Sequence, residues 1–228
     1  MVVEAFAEEF APFSYMENGK PVGYATELLQ AVCAEARITC KISIFPWARA
    51  YHEAQSRPNG IVFSTARTGE REASFTWIGP IAPRRVYFYV RSDSPLHIAR
   101  VEDLRGLKIG VVNDDAIIGQ LAQLGIGADR IERAPNGDLN IRKLLAGRVD
   151  TVPFTDIGMA WTLHGMGVEP STFRQEMLFA DASALYYALN RECDPAVVLA
   201  LKQAWDKVAA SAERRGLAEK YALPLPNS

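Results

Sequence analysis

The sequence predicts an α/β fold in two lobes, each with a mixed, mostly parallel sheet flanked by helices. Strand-like and helix-like segments alternate in both halves of the chain, and a repeated β–α–β order is typical of parallel sheets. Two strongly strand-like runs, residues 86–90 and 185–189, separate the halves. The first run leads out of the N-terminal half and the second returns to it, which predicts two hinge strands beside a cleft.

The elements of the first lobe follow from periodicity and capping. Apolar residues at helical spacing between Leu28 and Ala36 predict the first helix. Asp194 followed by Pro195 is typical of a helix cap and first turn, so a long helix is predicted to begin there. The other predicted elements of this lobe are strands at 2–7, 42–45 and 60–64, helices at 48–55 and 213–221, and a loose tail at 224–228.

A second β–α series begins after residue 90. Its predicted elements are a strand at 107–112, a helix at 116–124, a helix at 139–146 and a strand at 149–154. These elements predict a second lobe over residues 91–184, whereas residues 1–86 and 190–228 form a discontinuous first lobe.

The composition is that of a soluble globular protein. Of 228 residues 49% are hydrophobic and 23% are charged, and the net charge is −2. The absence of a basic stripe argues against a nucleic-acid partner, and no apolar run approaches the roughly 20 residues that span a bilayer. The chain opens on a strand-like segment, so we expect an export signal to have been removed and a start methionine supplied.

The cysteines and histidines indicate no metal site. Cys33 and Cys40 lie on either side of a predicted helix end, which favours a disulfide between them; two buried free thiols are the alternative. Cys193 has no partner. There is no CxxC motif, and the three histidines are isolated from one another in the sequence.

Residues 64–80, STARTGEREASFTWIGP, carry the strongest indication of function. Arg71 follows a turn-forming Thr-Gly-Glu, and a guanidinium in such a place offers a planar fork of donors to a carboxylate. Trp47 can supply a flat apolar wall beside it. Together these residues predict a cleft that holds a small anionic or zwitterionic molecule, whereas Arg71 alone would be read as a solvated surface arginine.

An ordered set of motifs spans nearly the whole chain. The motifs are FAPF at 10–13, GY at 23–24, PWAR at 46–49, TGER at 68–71, FTW at 75–77, DLRGLKIGV at 103–111 and GRVD at 147–150. In this order and spacing the chain resembles the family-3 (type II) periplasmic solute-binding proteins of bacterial amino-acid uptake systems. The resemblance implies a monomeric periplasmic protein with the two-lobed Venus-flytrap fold and without a cofactor, which delivers a small solute to the membrane permease of an ABC transporter.

The resemblance also implies ligand-binding residues in the first lobe. In amino-acid binders of this family an aromatic pair encloses the solute, and Phe10 and Trp47 match that pair. Ser64 and Ala66 match residues that offer polar groups to the solute. Arg71 matches the arginine that takes the α-carboxylate.

The second lobe departs from the family pattern at the helix start that normally donates amides to the carboxylate. Here the segment is Asn113-Asp114-Asp115-Ala116, whose carboxylates would repel an anionic solute unless they cap their own helix. The family aspartate that binds the α-ammonium would fall on Thr155, and Asp156 comes one residue late. A bulge that brings Asp156 into place is one reading, and the absence of an ammonium site is the reading we favour.

Three further charged residues lie near these motifs. Arg49 either reaches the mouth of the cleft or remains at the surface, and Arg67 is expected to point away from the cleft. Glu9 either receives a cationic group of the solute or is a solvated loop charge.

Two other functions are possible on this fold. A ligand-sensing domain of a membrane receptor, such as a sensor kinase, would continue beyond residue 228 into a transmembrane helix. A dehydratase-like enzyme needs a positioned acid or base, for which only Glu9, Asp114 and Asp156 can be nominated. We therefore predict a binding protein with no catalytic residue.

Overall fold

The computed structural model describes residues 1–113, 115–221 and 223. Asp114 and the tail at 224–228, both discussed above, lie outside the described residues. The strands are β1 Val2–Ala7, β2 Tyr15–Glu17, β3 Lys20–Val22, β4 Thr39–Ile44, β5 Gly60–Ala66, β6 Phe75–Arg91, β7 Ile109–Val112, β8 Ile131–Ala134, β9 Val152–Thr155 and β10 Phe173–Asn190. The helices are α1 Tyr24–Glu35, α2 Trp47–Ser56, α3 Gly69–Glu72, α4 Ala116–Gln123, α5 Gly137–Leu145, α6 Asp156–Met166, α7 Pro195–Ala209 and α8 Ala212–Lys220.

The chain folds into two compact units. One unit is formed by Met1–Pro83 together with Ala184–Ser228, and the other by Arg84–Ser183. The chain passes from the first unit to the second within β6 and returns within β10.

A mostly parallel sheet forms the centre of the first unit. Its strands run in the order β4-β1-β5-β10, with β1 parallel to both neighbours and β10 antiparallel to β5. β5 is buried along its whole length, as expected for an inner strand with covered faces. α2 packs against β1 and β5, and α1 packs against β4 and α7. Because β1, β4 and β5 are parallel, the loops that follow them leave from one edge of the sheet.

The second unit is built around the second half of β6. This part of β6 pairs with β9 in antiparallel direction, and β7 pairs with β8 in parallel direction. Val86, Phe88 and Val90 pack into one apolar cluster with β7 and α4, whereas Tyr89 packs into another with α5 and α6. Alternate residues of β6 therefore fill cores on its two faces, as the period-2 pattern of a strand requires.

Local sequence explains several element boundaries. The Asp194 carboxylate accepts a hydrogen bond from the Ala196 amide (2.8 Å), and Pro195 begins α7, so the predicted helix start is confirmed. Asn18 and Gly19 both have positive φ and connect β2 to β3, which is the conformation that Asn-Gly favours in tight hairpins. Neither α6 nor β8 is predicted from the sequence.

The predicted disulfide is wrong, because Cys33 and Cys40 are both free. Cys33 is buried on α1, while Cys40 is partly exposed on β4. A hydrogen bond to the Cys40 side chain, together with burial, raises the pKa of the Cys33 thiol well above its usual value. The two side chains thus meet without a covalent bridge.

Thiol titration can check this arrangement. Unreduced, denatured protein is expected to react at all three cysteines, whereas Cys33 and Cys193 of the native protein at pH 8 should react slowly. Cys33 and Cys193 are buried, and burial raises the pKa of both thiols, which lowers the thiolate fraction that reacts. A titre of one thiol in denatured, unreduced protein would contradict the structure.

Candidate functional site

Arg71 lies against two aromatic rings in the first unit. Its guanidinium carbon is 5.0 Å from the ring centroid of Trp47 and 5.3 Å from that of Tyr51, both within the range of cation–π attraction. Its Nη1 donates to Thr65 Oγ1 over 3.4 Å. These contacts fix the position of a guanidinium whose planar fork suits a carboxylate.

Arg71 and Trp47 meet because their loops leave the same edge of the sheet. Trp47 follows β4 and begins α2, and Arg71 follows β5 on the short helix α3. Their proximity is what the sequence analysis expects of these two residues. Thr65 and Tyr51 are not identified from the sequence. Tyr51 lies four residues after Trp47, however, and so on the same face of α2.

Further aromatic rings extend the wall that begins at Trp47, which is only 5% exposed. Tyr51 lies 5.6 Å from Trp47 and 5.4 Å from Phe75 between ring centroids, and Phe75 lies 5.8 Å from Trp77. Burial raises the pKa of Tyr51, and the Arg71 charge opposes that shift without cancelling it. Tyr51 is therefore neutral at physiological pH and adds a polar group to an apolar surface.

Ser64 has an unusual backbone at the end of β5. Its φ is +56°, in the left-handed region that L-residues other than glycine seldom adopt. Its buried hydroxyl is hydrogen-bonded to that of Ser14 (3.2 Å). Ala66, the last residue of β5, is also buried. The strand thus ends in a strained segment immediately before Arg67 and α3.

The loop after β1 holds Glu9 and Phe10. The Phe10 ring packs 5.1 Å from the Phe13 ring, and its amide donates to the Ser14 carbonyl. The Glu9 carboxylate accepts from the Met16 amide at 3.1 and 3.3 Å. Glu9 therefore stabilises the conformation of its own loop.

The other two arginines of this region also have contacts of their own. The guanidinium carbon of Arg49 lies 3.9 Å from the Phe45 ring centroid, and its Nε is 3.6 Å from Glu53. Arg67 makes a bidentate ion pair with Glu72, with N–O distances of 2.5 and 2.7 Å. Both guanidinium groups are thus engaged by neighbouring residues of the first unit.

In the second unit, Asp115 caps its own helix. Its Oδ1 accepts from the Ile117 amide over 2.9 Å and lies 3.9 Å from Arg84 Nη2. Asn113, which precedes this helix start, donates its amide to the Ala134 carbonyl, and Ala116 is the first residue of α4. The cap and the arginine together reduce the repulsion that Asp115 would exert on an anion.

Asp156 is paired with an arginine that the sequence analysis missed. Asp156 Oδ2 lies 2.7 Å from Arg85 Nη2, and its Oδ1 accepts from the Ile157 amide over 2.8 Å. The register of β6 and β9 explains the pair, because Val86 lies opposite Thr155 and the next residues outward are Arg85 and Asp156. The Arg84–Arg85 doublet, which interrupts an otherwise apolar run, was the available signal.

Thr155 has a capping role. It is the N-cap of α6, and its Oγ1 accepts from the Gly158 amide over 3.1 Å. Asp156 is thus the first residue of this helix, where a carboxylate is favoured by the helix dipole. The pairing of β9 with β6 runs in register without a bulge up to Thr155.

The described residues contain no group of three or more histidine, cysteine or acidic side chains that could hold a metal ion. Within the same residues, no helix combines the length and the apolar character needed to cross a bilayer.

Solved structures of known proteins share this fold. One is a histidine kinase sensor domain with similarity to periplasmic binding proteins, at 18% identity, with 99% of this chain and 98% of that chain covered and a TM-score of 0.86. Another is the arginine-, lysine-, histidine-binding protein ArtJ from the thermophilic bacterium Geobacillus stearothermophilus. It is 22% identical, with 100% of this chain and 97% of that chain covered and a TM-score of 0.86. These likenesses confirm the two-lobed α/β fold of periplasmic binding proteins.

A third structure comes from work on glutathione import in Gram-positive bacteria via GshT and the cystine ABC importer TcyBC of Streptococcus mutans. It is 18% identical, with 99% of this chain and 97% of that chain covered and a TM-score of 0.85. No curated protein matches the sequence.

One family model matches residues 2–224, nearly the whole chain. Its description, bacterial extracellular solute-binding proteins, family 3, agrees with the resemblance that the sequence motifs indicate. Proteins of this kind bind solutes, so the prediction of a binding protein rather than an enzyme is confirmed. The chain belongs to family 3 of the bacterial extracellular solute-binding proteins.

Proposed function

We propose that this protein captures a small carboxylate-bearing solute, an amino acid or a related compound, between its two units for uptake by an ABC transporter. The observation that carries the proposal is the Arg71 guanidinium held against Trp47 and Tyr51. A carboxylate that meets a fixed, planar pair of donors gains a charge-assisted contact, and the low dielectric beside an apolar wall strengthens that contact.

The remaining residues of the first unit complete the proposed site. Trp47 and Phe10 enclose the apolar part of the solute, and Ser64 and Ala66 offer hydroxyl and backbone groups at the end of β5. Neighbouring structures named for arginine, lysine and histidine binding, and for glutathione import, concern solutes with carboxylates. They support a solute of this class here.

The second unit completes the proposed mechanism. Its helix start at Asn113, Asp115 and Ala116 and the first turn of α6 add contacts that exist only in a closed state, and β6 and β10 act as the hinge. A ligand that binds the closed state better shifts the population towards it. Because the family is extracellular, the protein is periplasmic or extracellular; we propose a periplasmic monomer that presents its closed form to the permease.

A sensor role is the second candidate. The histidine kinase sensor domain covers 99% of this chain and ArtJ covers 100%, and the two have the same TM-score. The full-length gene distinguishes the two roles, because a sensor continues into a transmembrane helix and a signalling domain.

A thermal-shift screen of amino acids, dicarboxylates and polyamines tests the proposal. A ligand at a hundredfold excess over its Kd stabilises the native state by about 2.7 kcal/mol. In a protein of this size such stabilisation raises the Tm by about 5–10 °C. Carboxylate-bearing compounds are expected to produce this shift, and polyamines are not.

The variant Arg71→Ala is the control for this screen. At the same ligand concentration, binding that is at least tenfold weaker leaves at most about 1.4 kcal/mol of the stabilisation, so the shift should fall by half or more while the unliganded protein keeps a cooperative transition. A shift produced by polyamines alone, or one fully retained in Arg71→Ala, would contradict the proposed site.

A further inference from the structure

A depression of about 340 Å³ lies on the second unit, between the end of β8 and α5. Four cationic side chains line it: Arg133, Arg142, Lys143 and Arg148. The apolar part of its lining includes Pro135 and Leu139, and Leu139 is 41% exposed. We call this depression the basic basin; none of its residues belongs to the proposed solute site.

The charge of the basic basin is largely uncompensated. Lys143 Nζ lies 3.7 Å from the Glu132 carboxylate and donates to the Arg133 carbonyl over 2.8 Å. Arg133, Arg142 and Arg148 have no ion pair with any described residue. Three unpaired guanidinium groups around one concavity stand out in a chain whose net charge is −2, and such a cluster attracts anions.

Helix stability accounts for only part of this cluster. Arg142 and Lys143 occupy the last turn of α5, where cations complement the helix dipole. Arg148 lies beyond Gly147, whose φ of +66° turns the chain back, and the Arg148 amide bonds to the Lys143 carbonyl. Arg133 comes from a separate strand, β8. The helix dipole explains the position of neither Arg133 nor Arg148, although both line the basic basin.

We propose that the basic basin binds a phosphate ester, with its phosphate on the guanidinium groups and its apolar part on Pro135 and Leu139. Guanidinium groups recognise phosphate through paired charge-assisted hydrogen bonds. The volume of the basic basin lies at the lower end of the range of volumes that is typical of small-molecule sites. The ester is either a soluble organic phosphate or the headgroup of an anionic phospholipid, since both present the same chemistry.

Phenyl phosphate is the probe for the first test, by calorimetric titration of the whole protein. The double variant R142Q/R148Q is expected to lose at least tenfold in affinity. The matched control Arg105→Gln, which removes an exposed cation of the same unit outside the basin, should stay within twofold. Equal affinity of the wild type and the double variant, or an equal loss in the control, would overturn the proposal.

The apolar part of the proposal has its own test. Leu139→Ser is expected to weaken phenyl phosphate about threefold and to leave inorganic phosphate unaffected, because only the ester contacts the leucine. Phenyl phosphate that binds the wild type no more tightly than inorganic phosphate does would refute an ester site. Binding of polyglutamate without binding of phenyl phosphate would also overturn the proposal in favour of an acidic protein partner.

Vesicles distinguish the two sources of the ester. Cosedimentation with phosphatidylglycerol but not phosphatidylcholine vesicles, lost in R142Q/R148Q, identifies a lipid headgroup. Phenyl phosphate binding without cosedimentation identifies a soluble phosphate. The solute response of the proposed Arg71 site should be unchanged in R142Q/R148Q, so the two proposals fail independently.

Discussion

Arg71→Ala is expected to weaken the binding of a carboxylate-bearing solute by at least tenfold. A charge-assisted hydrogen bond contributes about 1.5–3 kcal/mol, which corresponds to roughly 10- to 150-fold in Kd. The variant also removes the cation that lies over Trp47 and Tyr51. The loss should appear mainly in the dissociation rate, because contacts made after encounter are the ones removed.

Arg71→Lys separates charge from geometry. Lysine keeps the positive charge but lacks the planar fork, so its affinity should fall between those of the wild type and Arg71→Ala. Calorimetric titration of both variants, with the solute that the thermal screen identifies, measures the two effects.

Arg67→Ala is the matched control for Arg71. Arg67 also lies near aromatic rings, 5.8 Å from Trp77, but its guanidinium is paired with Glu72. Its removal should leave solute affinity within about twofold. Unchanged affinity in both Arg71 variants would remove the central residue of the proposed site.

Arg85→Ala is expected to change which solutes the protein prefers. In the second unit the Asp156 carboxylate is already engaged by Arg85 and by the Ile157 amide. The α-ammonium of a solute would have to compete with Arg85 for that carboxylate. Once the guanidinium is removed, selectivity for an amino acid over its deaminated analogue should rise by about tenfold, as one charge-assisted contact allows.

Asp156→Asn is the complementary variant. It leaves the Arg85 cation without its carboxylate partner, so a deaminated acid should bind several-fold more tightly and an amino acid more weakly. Both ligands are titrated against both variants, and the ratio of their affinities is compared with that of the wild type. If each variant changes the two affinities by the same factor, Asp156 does not contact the ammonium position.

Much of the fold can be predicted from local sequence. The strand at Val2–Ala7 has the predicted bounds, and α7 begins where Asp194 and Pro195 indicate. The helix α6 escapes prediction because Gly158 and Gly165 interrupt it and its apolar residues form no one-sided stripe. Strand β8 has only four residues, of which the middle two are exposed, so it lacks the apolar alternation that identifies a strand.

The candidate site can likewise be predicted only in part from the sequence. The meeting of Arg71 and Trp47 follows from two loops at one edge of a parallel sheet, which the order of elements predicts. The Arg85–Asp156 pair depends on the register of β6 against β9, and side-chain spacing within either segment contains no information on that register. The free thiols of Cys33 and Cys40 likewise depend on a tertiary distance that a spacing of seven residues leaves open.

The left-handed backbone at Ser64 has a consequence for engineering this protein. A serine in that conformation costs roughly 1–2 kcal/mol, a cost that glycine would avoid. Ser64→Gly would remove that cost but would also delete a buried hydroxyl that is hydrogen-bonded to Ser14 beside the proposed solute position. Because that hydrogen bond contributes about 0.5–1.5 kcal/mol, the two effects on stability nearly cancel, and the benefit of serine over glycine should appear in solute binding. A library that varies this residue should therefore be screened for thermostability and solute binding together.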